Sequence, residues 1–359
     1  VRLPRLPLGL LILLAPAGPL LAQSYFAHAD WAAACDTSRT CTALALPPAS
    51  AEKGMDLVLL RGGGSLEPVA WIDLGPREGL PLEVSARLFA DERELFPLGD
   101  AHLLVDAIAE GRADQLRITR PEEIATLLSA LRSASRIRIV ASGRVVGESS
   151  AVGASAALLW IDEQQDRLER VNALIRHGER SAEAGFRPPA VPAPLPHRPA
   201  QGLDEGAAAL AALAAAHRRL PEGWCEPRPA EERSDRVWRL NRGKRLLVEI
   251  DCARSREGAV TRWFLVERGE ARPLVFRRPA IARKPAGMVE LEALVNAAFD
   301  PLRGEIRSLE GLRAREDCGR LSVFRDDGAD FVLSEDRYLD RCRGAPPDRW
   351  PVLYLRPSD

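Results

Sequence analysis

The chain has 359 residues, 46% hydrophobic and 28% charged. That balance excludes disorder along the whole chain and suffices for a sizeable core, and the length predicts two domains. A formal net charge of −1 excludes an overall electrostatic pull toward nucleic acid.

The chain opens with "VRLPRLPLGLLILLAPAGPLLAQS". Arg2 and Arg5 precede an apolar run from Leu6 to Leu21, and Ala22 is a small residue at a cleavage position. This is the layout of a secretory signal peptide over residues 1–22. Pro7, Pro16 and Pro19 interrupt the run, which argues against a retained membrane helix. No later stretch is long and apolar enough to span a bilayer, so no integral membrane segment is expected after cleavage. The predicted location is the periplasm.

"DWAAACDTSRTCTALAL" follows, with Cys35 and Cys41 on either side of a turn-prone "DTSR". It reads as a stapled hairpin. "DLVLLRGGGSLEPVAWIDLG" predicts two strands joined across Gly62, Gly63 and Gly64, and Leu82 to Phe89 alternates like a half-buried strand. Helices are predicted over Asp100 to Gly111 and over "RPEEIATLLSALRSA", where Pro121 sits at the first helical position. "RIRIVASGRVV" reads as a strand with one wet face. "GASAALLWIDEQQDRLERVNALIRHG" predicts one long helix with Ile161, Leu168, Val171 and Ile175 on its core face and Gly178 as its stop.

Proline density in "RPPAVPAPLPHRPA" forbids helix and central strand and marks a stiff linker. An alanine-rich helix is predicted over Asp204 to Leu220. The rest reads as strand and turn, with a hairpin at Asp327-Gly328 and one helix at "MVELEALVNAAFD". The expected fold class is α+β. An N-terminal domain of strands and several helices (23–182) joins, through the Pro-rich linker (183–203), a C-terminal, mostly antiparallel β domain with one or two helices (204–359).

The six cysteines are Cys35, Cys41, Cys225, Cys252, Cys318 and Cys342. An even number in an exported chain reads as disulfides. The simplest pairing joins sequence neighbours: Cys35 with Cys41, Cys225 with Cys252, Cys318 with Cys342. On the chain-entropy model the short loop is worth about 2 kcal/mol and each longer one about 3.5 kcal/mol. Zinc knuckles and C-x-x-C redox pairs are absent, and His28, His102, His177, His197 and His217 are scattered. No metal and no cofactor are called for.

"GASAA" places Ser155 where a nucleophile elbow would hold it. The plainer reading is a helix cap. "RGGGS" reads as a hairpin turn rather than a phosphate cradle, and "DDGAD" as a turn rather than a calcium loop. No catalytic residue is assigned.

Taken together, "DWAAACDTSRTC", "GASAALLWIDEQQDRL", the proline-rich spacer and a close containing "DCG", "DDGADFVL", "CRG" and "WP" resemble the DUF1176 family. The resemblance spans nearly the whole mature chain. It implies an exported protein of Gram-negative bacteria and carries over no catalytic residue. The expected function is a non-enzymatic binding or envelope accessory module whose partner is an envelope protein or a small ligand, with no role for nucleic acid. The alternatives are an envelope hydrolase using Ser155 or an acidic site, and a structural or stress-protective protein without a ligand.

Overall fold

The structure is a computed structural model. It describes residues 25–64, 67–75, 80–81, 85–103, 108–109, 112–182, 192–226, 229, 232–240, 244–255, 258–281, 287–313 and 316–356. Residues 1–22, read above as a signal peptide, and part of the proline-rich spacer lie outside these residues.

The chain starts with five strands: β1 (Tyr25–His28), β2 (Trp31–Cys35), β3 (Cys41–Ala45), β4 (Asp56–Arg61) and β5 (Val69–Asp73). Then come β6 (Leu80–Pro81), β7 (Ala86–Ala90), β8 (Arg93–Leu98), β9 (Ile108–Ala109), β10 (Arg112–Ala113) and β11 (Gln115–Ile118). Helix α1 (Pro121–Leu131), the hairpin β12 (Arg136–Ala141) and β13 (Arg144–Ser150), and helix α2 (Ala154–Gln164) complete the first half. The second half opens with β14 (Gln201–Leu203), α3 (Ala207–Arg219), β15 (Arg236–Leu240), β16 (Arg245–Ser255) and β17 (Gly258–Glu267). It continues with β18 (Glu270–Pro273), β19 (Phe276–Pro279), β20 (Met288–Leu291), β21 (Leu294–Val295) and β22 (Ala297–Asp300). It ends with β23 (Glu305–Gly311), β24 (Gly319–Asp326), β25 (Phe331–Leu339) and β26 (Val352–Leu355). The chain is mostly β, with three α-helices among the described residues.

The sheets stack. The first, in the order β1-β2-β3-β4-β5-β11, and the four-stranded sheet β13-β12-β7-β8 enclose a core with α1 and α2. In the second half, β14-β15-β16-β17-β18 packs one face on the alanine stripe of α3. Its other face meets the sheet β22-β23-β24-β25-β26 through Trp238, Trp263, Phe324 and Phe331.

A further apolar cluster joins the halves. Ala32, Leu44, Leu46 and Val58 of the first sheet pack on Leu321, Val323, Leu339 and Trp350. Odd positions Trp31, Ala33 and Cys35 face the first core, while Ala32 faces this shared one. Every residue of β2 and β3 is therefore buried. The uninterrupted apolar spelling "WAAAC" follows from burial on both faces, since an alternating strand leaves one face wet. Polar ties reinforce the contact. Arg349 pairs with Asp73 at 2.7 Å, Thr37 donates to the Leu355 carbonyl at 3.0 Å, and Tyr25 donates to Asp340 at 2.7 Å.

Many expectations hold. Cys35 and Cys41 face each other across the β2–β3 hairpin, Pro121 starts α1, and Asp327-Gly328 turns β24 into β25. Three helices are corrected. Among the described residues of Asp100 to Gly111, a 3-10 turn forms at Asp100–His102 and Ile108–Ala109 is strand. The Gly99 N–H donates to His102 Nδ1, so Nε2 carries the proton and donates to Glu123 at 3.0 Å. Leu103 then bridges Leu116, and the described chain continues as strand. "MVELEALVNAAFD" forms β20, β21 and β22. Val289 and Leu291 pair with β19, and Asn296 takes a left-handed φ of 46° that breaks any helix. The long helix after Gly153 stops at Gln164.

Trp350 is fully buried and its indole N–H donates to the Ala345 carbonyl at 2.9 Å. Trp350→Ala is expected to cost about 3–5 kcal/mol in urea unfolding; a loss under about 1 kcal/mol would contradict this seat in the shared core.

Candidate functional site

Glycine 153 begins the local architecture. It has a left-handed φ of 104°, and an added Cβ would lie 2.5 Å from the His28 carbonyl oxygen. Only glycine lets α2 start this close to β1. Ala154, Ala157, Leu158 and Ile161 then face the core, and the alanines allow the helix to sit tightly on the sheet.

Beyond Ile161 the sequence trades helix for a polar scaffold. Asp162 is fully buried. Its carboxylate accepts from the backbone N–H of Leu174 at 2.9 Å and of Ile175 at 3.1 Å. Arg61 of β4, also buried, donates to the same carboxylate at 2.7 Å and to the Asn172 carbonyl. Gln165 donates to the carbonyls of Arg39 at 2.8 Å and Arg61 at 3.1 Å. Residues 171–177 are held as a fixed loop by the side chains of α2 and β4. Continuing the helix would have taken the Leu174 and Ile175 N–H donors away from a buried Asp162. Val171, expected on a core face, is 56% exposed. Gly178 is a close-packing position rather than a helix stop: an added Cβ would lie 2.3 Å from the Glu169 carbonyl oxygen. Burial, with the neighbouring Arg167 charge, pushes the Arg61 guanidinium down to about 10, and Asp162 partly offsets this.

This loop and α1 form the walls of an open groove of about 430 Å³. Ile124, Leu128, Leu174 and Pro68 make it apolar, and Ser129, Arg132, Asn172, His177 and Glu67 supply polar groups. The Asn172 side-chain carbonyl oxygen is buried, with no hydrogen-bond partner among the described residues.

The sequence candidates fall elsewhere. Ser155 does not cap α2; Gly153 holds that position, and Ser155 is the second helical residue. No histidine hydrogen-bonds to it among the described residues. His217 pairs with Asp235 at 2.9 Å and His102 with Glu123 at 3.0 Å, while His177 lies in the groove. The six cysteines form the three neighbour pairs, with Cα separations of 4.0, 4.3 and 4.7 Å. Asp317 lies beside Cys318 and Cys342, yet both sulfurs are bonded to each other and Asp317 holds Arg313 and the Gly344 N–H. The groove and its support by Arg61 and Asp162 were missed. The visible signal was charge: "DEQQDRLER" is too polar for the middle of a core helix.

Burial moves the titration of two acids toward neutral pH. Asp56, opposite Asp73 on neighbouring strands, is pushed up to about 7 by burial and by the Asp73 charge, with Arg349 opposing. Burial raises Glu249 to about 7 also, with Arg236 opposing.

These features define a mostly β, disulfide-paired protein with an amphipathic groove set on a buried ion pair. A family model described as "Protein of unknown function (DUF1176)" matches residues 25–357, and the chain belongs to that family. It is 25% identical over 366 residues to the uncharacterised protein YpfG of Escherichia coli strain K12, covering 93% of each chain. No solved structure matches it.

Asp162→Ala is expected to cost about 3–5 kcal/mol, because Arg61 would stay buried without its carboxylate; urea unfolding within about 1 kcal/mol of the parent would contradict the scaffold. A raised carboxyl pKa means that the native state holds the proton more tightly. The contribution of Asp56 and Glu249 is thus full below the ordinary carboxylate range and is lost as pH rises from about 4 to about 7. Asp56→Asn with Glu249→Gln should flatten the melting temperature against pH across that window, and an unchanged slope would contradict these assignments.

Proposed function

We propose that this is an exported protein of the bacterial envelope that acts by binding, with the groove between α1 and residues 171–177 as the seat of a small amphipathic ligand. The groove carries the reading: apolar walls beside the polar rim of Arg132, Ser129 and His177. Such a combination of apolar area and a few oriented polar groups is how small-molecule sites gain affinity and direction.

Three paired cysteine couples suit an oxidising compartment. The n-region and apolar run of residues 1–22 support export to the periplasm. Among the described residues, no helix is long and apolar enough to cross a membrane. We also place a domain boundary in 183–203, supported by the proline density there. A hydrolase built on Ser155 has less support, since that side chain stands in the first turn of α2 with no imidazole partner among the described residues. A purely structural role leaves the groove without a use.

Leu128 is half-buried in the groove wall. Native mass spectrometry of protein purified gently from the periplasm is expected to show a small-molecule adduct, and Leu128→Trp, which fills the groove, should lose it with the fold intact by circular dichroism. A parent without adduct, or equal adducts on both proteins, would overturn the reading.

A further inference from the structure

A second cleft, of about 370 Å³, lies in the other half of the chain. It opens where two sheets end. β18 is the last strand of one and β26 the last strand of the other. β26 pairs with β25 only between Glu335 and Arg337, and the Arg356 N–H adds a bond to the Ser334 carbonyl at 2.8 Å. Phe331, Val332 and Leu333 run on beyond β26 into the cleft wall.

Its surface has two characters. Val275 and Met288 are 39% and 52% exposed. With Phe331, Leu333 and Tyr354 they form an apolar floor. Around it stand Arg272, Arg277 and Arg356 against one lining carboxylate among the described residues, Asp330. Each guanidinium is held from the side. Arg272 donates to Asp330 at 3.1 Å and to the Ala329 carbonyl at 3.1 Å. Arg277 pairs with Glu290, which lies outside the lining, and Arg356 donates to the Ala193 carbonyl at 2.6 Å. The Arg272 and Arg277 pairs are exposed, so water screens them and a better-placed carboxylate can exchange with them.

The geometry points to this cleft as a docking site for an extended segment of another protein in which acidic and apolar residues alternate. An extended chain puts alternate side chains on opposite faces. One set reaches the floor of Val275, Met288 and Phe331; the other reaches the three arginines. Sheet-end backbone offers the hydrogen bonds by which strand-like peptides add to a sheet. The rim excess of one positive charge among the described residues, three arginines against Asp330 and Glu290, sets the sign of the partner. It is too small for a nucleic-acid track, which needs many phosphate contacts. This site is separate from the groove and does not depend on its ligand.

The test is fluorescence anisotropy of the full chain with a labelled peptide about ten residues long alternating glutamate and valine. A lysine–valine peptide and phosphatidylglycerol vesicles serve as comparisons. The acidic peptide should bind, weaken with salt, and lose about tenfold in affinity with Arg272→Glu plus Arg277→Glu. Met288→Asp should weaken it through the floor. All three positions are exposed, so unchanged melting would show that the fold is intact. Equal binding of the lysine peptide, binding to the vesicles alone, no binding to the parent, or no effect of the charge reversals would each overturn the proposal.

Discussion

The first six-stranded sheet has two faces to keep dry, and the rest of the molecule is arranged to cover them. One face receives α1, α2 and the four-stranded sheet. The other receives β24, β25 and the segment carrying Ala345 and Trp350. Apolar area removed from water is the main stabilising term in any such stack. The last part of the chain therefore completes a core begun near its start. Disulfides lie around this arrangement. Cys35–Cys41 locks the hairpin whose inner strands are buried on both faces, and Cys318–Cys342 ties the start of β24 to the chain entering the Trp350 segment.

Charge is buried where geometry must be fixed. Asp162 with Arg61 holds the groove loop. Arg320 with Asp336 at 2.7 Å, and Arg245 with Asp326 at 2.7 Å, lock the second half in the same manner. Buried pairs are weak sources of net stability, yet losing one partner is costly. Their use here is positional. The segment "GASAALLWIDEQQDRL" thus has a structural explanation: a glycine for close approach, alanines for tight packing, and an aspartate and a glutamine that capture loops.

Sequence made much of this legible. Pairing of neighbouring cysteines, the Pro121 helix start and the Asp327-Gly328 turn depend on local chemistry, and local chemistry can be read directly. Two of the three misread helices share a cause. "DAHLLVDAIAEG" and "MVELEALVNAAFD" have good helical propensity, but Leu103 and Leu291 are claimed by neighbouring strands, and tertiary pairing outweighs a few tenths of a kcal/mol per residue. The groove was invisible because it joins Pro68, α1 and residues 171–177, which are far apart in the chain. Two-faced burial of "WAAAC" was written in the sequence as a missing alternation, and only its partner, Trp350, was out of reach.

Native-state hydrogen exchange on the full chain, followed through increasing sub-denaturing urea, tests the shared core most directly. If the two halves complete one core, amides of β2 and β3 and those of β24 and Val352–Leu355 should lose protection together, in one opening with a common free energy and urea dependence. Exchange of β24 and β26 at low urea, while β2 and β3 stay protected to the global transition, would contradict the account.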